Sequence, residues 1–121
     1  MNMSLEEKFH AYCSNFGTEQ DPSKVRHLFD AIYHDDFVNE LDGEHPIDKE
    51  QLWKNQSVLL ETGTRVIVDK FKHIDNAYTN SVVYKLRFFG HLTGTIHCVY
   101  EVKDGKICSG RAVDGSSVTT M

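Results

Sequence analysis

The feature that most constrains this chain is a run of period-two alternation in its last third, between Ala77 and Val118. Tyr78–Phe89 sets Val82, Tyr84, Leu86 and Phe88 on one face and Ser81, Lys85 and Arg87 on the other. Leu92–Lys103 does the same, with Ile96, Cys98, Tyr100 and Val102 against Thr93, Thr95, His97 and Glu101. Alternation dense in β-branched and aromatic residues is the pattern of half-buried antiparallel strands. Asp104-Gly105 supplies the positive φ angles of a two-residue hairpin turn, from which a third strand, Lys106–Val118, returns. Whatever precedes these strands must cover their apolar face.

Helical spacing upstream supplies the cover. Leu5, Phe9, Tyr12, Cys13 and Phe16 share one face of a helix expected over residues 3–16, which Gly17 stops. Asp21 and Pro22 open a second helix as N-cap and first helical residue, with the stripe Val25, Leu28, Phe29, Ile32 and Tyr33. His34-Asp35-Asp36 is expected to end it, with His34 facing the helix C-terminus, and Phe37-Val38 to start a short extended piece. Asp48 and Gln51 form a capping-box-like pair for a third helix that carries Trp53, Gln56, Leu59 and Leu60 and closes at Thr62-Gly63. Arg65–Ile74 reads as a long strand whose register requires a bulge. The expected fold is α+β: three N-terminal helices packed on a strongly curved, mainly antiparallel sheet, as a single domain over residues 1–121.

Thirteen Lys and Arg against eighteen Asp and Glu leave a net charge of −5, which gives no electrostatic reason to expect nucleic acid. No apolar run approaches the ~18 residues of a membrane span, and the charged N-terminus is unlike a signal peptide. Cys13, Cys98 and Cys108 are odd in number, widely spaced and without a CxxC pair; Cys13 and Cys98 lie on apolar faces, so buried free thiols there and a cytoplasmic location are expected. The seven histidines show neither HxxxH nor HExxH spacing; no metal and no cofactor are expected.

Two stretches resemble a known family. Leu28-Phe29-Asp30-Ala31-Ile32-Tyr33-His34-Asp35-Asp36-Phe37 is similar to the end of helix two in ketosteroid isomerases and SnoaL-type cyclases. Asp104-Gly105-Lys106-Ile107 through Arg111-Ala112-Val113-Asp114 is similar to their final hairpin. Together with the element order, they resemble the NTF2-like superfamily of cone-shaped α+β barrels. That resemblance implies a pocket between helices and sheet. It also implies an acidic residue on the last strand facing that pocket, at Asp114, and, by the isomerase alignment, an oxyanion-hole group at His97 or Cys98. The isomerases' general base falls at Leu41 without a gap and at Asp42 with a one-residue shift. The run Val113-Asp114-Gly115-Ser116-Ser117 resembles the tail of the metal-independent carbonic anhydrases of the iota class; the serines are present, but both histidines of that family are replaced.

Two functions follow. One is a small acid–base enzyme (isomerase, cyclase or dehydratase) acting on an apolar carbonyl compound. Asp114 would then be the base, His97 a donor, and Tyr12, Trp53, Tyr84, Phe88 and Tyr100 the pocket lining. The other is a non-catalytic ligand-binding or oligomerisation module, which a cone closed by Trp53, Leu59 or Phe16 would favour. By alternation alone His97 lies outside, beside Val83, Phe89 and Val99 on a face suited to homodimer pairing.

Overall fold

A computed structural model describes residues 3–41, 46–114 and 119–120. Helix α1 (Leu5–Cys13) is shorter than the apolar stripe suggests, and Phe16 packs from the turn beyond it. Ser4 caps it through a full capping box: its hydroxyl accepts from the Glu7 N–H, and the Glu7 carboxylate accepts from the Ser4 N–H. Asp21 caps only a 3₁₀ turn, Pro22–Lys24, so α2 (Arg26–Ile32) begins later than the Asp-Pro signal implies.

The chain then passes directly into β1 (Tyr33–Leu41), and this corrects the expected helix end. Tyr33 already has extended angles (φ −105°, ψ 129°), so His34, Asp35 and Asp36 are strand residues and His34 caps no helix. The physical reason lies far away in the chain, because β1 pairs in parallel with the last long strand, from Tyr33↔Ile107 to Leu41↔Ala112. Strand β2 (Ile47–Asp48) leads into α3 (Lys49–Glu61). Asp48 caps α3 through the Gln51 N–H at 2.8 Å, but the Gln51 amide turns to Asn55, so the capping box is only half formed.

Four long strands follow: β3 (Arg65–Asp75), β4 (Asn80–Phe89), β5 (Leu92–Lys103) and β6 (Lys106–Asp114), with β7 (Thr119–Thr120) pairing β5. The order across the sheet is β2-β1-β6-β5-β4-β3, antiparallel throughout except for β1 against β6. Asp104 (φ 55°) and Gly105 (φ 75°) make the expected primed turn. Register shifts between Val68 and Lys70 and between Glu101 and Val102 mark bulges, which sharpen the twist and curl the sheet around the helices.

Candidate functional site

The concave face of the sheet is the place where a pocket would form. Its rows are read from the register: Phe71–Tyr84–Cys98–Ala112 in one, Val82–Tyr100–Gly110–Asn39 in the next, and Leu86–Ile96 continuing to Asp114. Helix α1 lowers Leu5, Phe9, Tyr12 and Cys13 onto these rows, α2 adds Phe29 and Ile32, and α3 adds Leu60.

Aromatic rings fill the space between. Tyr84 stacks on Tyr100 at 5.6 Å between ring centres, Tyr100 meets Phe37 at 5.8 Å, and Phe37 meets Tyr33 at 5.1 Å. Tyr33 packs on Phe29 at 4.7 Å, and Phe29 on Trp53 at 4.9 Å. A cavity left among the described residues, lined by Tyr12, Cys13, Phe16, Gln56, Leu59 and Phe88 among others, measures about 10 Å³. That is the room one water needs, whereas small-molecule sites run to about 300 Å³ or more.

The polar groups inside are engaged with one another. The Tyr12 hydroxyl bonds to the Gln56 side-chain oxygen. Tyr33 lies close enough to Tyr84, and Cys98 to both Tyr84 and Tyr100, for each to influence the other's titration. Burial pushes all four of these tyrosines above the ordinary phenol value and the Cys98 thiol up to about 12. It raises the Cys13 thiol as well. Every one of these groups is therefore neutral near pH 7, and none is a ready proton acceptor.

Of the expected site residues, the structure gathers Tyr12, Tyr84, Phe88 and Tyr100 in the interior, all buried. Trp53 is only partly buried; it sits between α2 and α3 with the Arg26 guanidinium 5.3 Å from its ring. His97 is exposed on the convex face, in register with Lys85, as alternation alone indicates. The backbone of Asp114 pairs with Ile96 in the concave rows, but its side chain lies outside the described residues, as do Asp42 and residues 115–118. Gln56, Cys13 and Tyr33 also belong to the interior, and their helical spacing or strand position was the available signal. Asn39 is buried on the concave side of β1, and among the described residues its side-chain oxygen has no hydrogen-bond partner.

Among solved structures the chain is similar to a de novo designed protein with a curved β-sheet (19% identity over 91% of this chain and 84% of the other, TM-score 0.65). It is similar to an NTF2-like protein from Cytophaga hutchinsonii (17% identity, 91% and 92% covered, TM-score 0.56). The fold is the NTF2-like cone. A third neighbour, from Agrobacterium tumefaciens, is assigned provisionally to the isomerases of the SnoaL-like family (12% identity, 93% and 95% covered, TM-score 0.64). No protein-family model matches the sequence, and no curated protein does. At these identities the likeness speaks for the fold alone. No helix among the described residues is long and apolar enough to cross a membrane.

Proposed function

We propose that this NTF2-like chain is a non-catalytic binding module, in which the cone serves as a rigid scaffold and the outer sheet face is the working surface. The observation that carries this reading is the filled interior: a cavity of about 10 Å³ bounded by aromatic rings, with the Tyr12 hydroxyl already bonded to Gln56. A ligand would have to displace that packing, at the several kcal/mol typical of core rearrangement. The test is thermal stability in the presence of neutral apolar ketones. A ligand of the native state at a hundred times its Kd would stabilise the fold by about 2.7 kcal/mol. No shift in melting temperature is expected, and a saturable rise would overturn the reading.

One observation favours a second reading, that of an acid–base enzyme on a small apolar carbonyl compound. The register that sets Asp114 opposite Ile96 continues a concave row, where a desolvated carboxylate could serve as base. Asp114→Asn would then lower turnover by about 10²–10⁴ without unfolding the protein. A carboxyl-carbon NMR titration placing Asp114 at or below the ~3.9 of a free aspartate would remove this reading.

A further inference from the structure

The convex face carries an arrangement that sheet energetics disfavour. Lys70 on β3 stands directly opposite Lys85 on β4, and Lys85 directly opposite His97 on β5. The next row on the same face runs Lys72–Val83–Val99–Arg111. Facing pairs have Cβ atoms only about 4.5–5.5 Å apart, so the Lys70–Lys85 pair is a like-charge cross-strand contact that destabilises the sheet. The nearby acids do not relieve it: Asp69 holds Arg87 at 2.7 Å, and the Glu101 carboxylate accepts from Ser109. Among the described residues Lys70, Lys72 and Lys85 form no ion pair within 4.0 Å. Beside them Val99 is 50% exposed. A chain with a net charge of −5 thus sets Lys70, Lys72 and Lys85 around the partly buried Val83 and the exposed Val99. A locally unfavourable choice of this kind marks a surface used for something other than stability.

We infer that the outer face of β3, β4 and β5 docks an acidic, apolar-bearing segment of a partner protein, with carboxylates on Lys70, Lys72 and Lys85 and apolar side chains on Val83 and Val99. This rests on the outer sheet being the working surface, as proposed above, and names what it takes. Charge complementarity selects the partner. A nucleic-acid backbone would leave the two valines unused and meet the repulsion of the chain's overall negative charge.

The test is fluorescence anisotropy of the whole chain with a labelled peptide alternating glutamate with leucine, beside a lysine–leucine peptide and oligothymidine. The glutamate–leucine peptide is expected to bind, more weakly as salt rises. Lys85→Glu is expected to weaken that binding about tenfold while raising the melting temperature, because it replaces a like-charge pair by an opposite one. Loss of binding with a gain in stability separates docking from a structural role. Absence of binding, equal binding of the lysine–leucine peptide, or tighter binding of oligothymidine would overturn the inference. So would self-association that Val99→Glu abolishes. None of these results bears on the filled cone, which the ketone experiment tests separately.

Discussion

The ring of Phe9 on α1 sits 4.5 Å from the ring of Tyr84 on β4, and 5.2 Å from that of Phe71 on β3. Through this contact the first helix closes the cone against the sheet. Phe9 and Tyr84 are both buried, so Phe9→Ala leaves a cavity in a close-packed core. The expected loss is about 3–5 kcal/mol of unfolding free energy, read by urea denaturation. A loss within about 0.5 kcal/mol would mean that the helix is not seated as described.

The three thiols should differ in reactivity. Cys13 and Cys98 are buried, and desolvation holds both as thiols, Cys98 with its pKa pushed up to about 12. Cys108 is partly exposed on β6. The thiolate is the reacting species, so an aromatic disulfide reagent at pH 8 should label Cys108 alone in the native protein and all three on unfolding. Rapid native labelling of Cys98 would contradict the closed interior.

Two glycines separate a close approach from a turn. At Gly110 (φ 150°) an added Cβ would lie 2.2 Å from the Val99 carbonyl oxygen and 2.6 Å from the Tyr100 Cα. At Gly105 (φ 75°) nothing lies within 4 Å, and only the left-handed backbone is at stake. Gly105→Ala should therefore cost about 1 kcal/mol, and Gly110→Ala distinctly more, as measured by chemical denaturation.

How much of this could be seen in the sequence depended on the range of the interaction. The β4 and β5 alternation is local, and the faces of Tyr84, Phe88, Cys98 and Tyr100 followed from it directly. The boundary at Tyr33 was hidden because its spacing suits a helix stripe and its aromatic ring suits a strand equally well. Pairing with Ile107 decides between them, and no local window contains both residues. The filled interior was likewise out of reach, since it depends on rings from Phe9 to Tyr100 meeting in one volume. The lysine row needed the Val68–Lys70 register shift, which carries Lys70 onto the same face as Lys85.

Acid sensitivity should centre on the junction of α2, β1 and α3. Partial desolvation is the largest influence on Asp30 and pushes its pKa up, but Lys49 and Arg26 together outweigh it and leave the carboxyl lowered. The hydrogen bond from Lys49 lowers Asp35, and the one from Arg26 lowers Glu50. Depressed folded-state values mean that these contacts stabilise fully above the unfolded carboxylate range near 4. They are lost as pH falls through the depressed values. Stability should thus decline below about pH 4, and Lys49→Met should flatten that decline in acid titrations followed by circular dichroism. An unchanged slope would show that Lys49 contributes nothing through Asp30 and Asp35.

The filled cone is tested most directly by amide and aromatic NMR spectra of the protein titrated with a neutral fused-ring enone, an apolar carbonyl compound. The account predicts no saturable shifts at Tyr12, Tyr84, Phe88 or Tyr100 up to the solubility limit of the compound. Saturable shifts confined to these inward residues would contradict it and make the interior a ligand site.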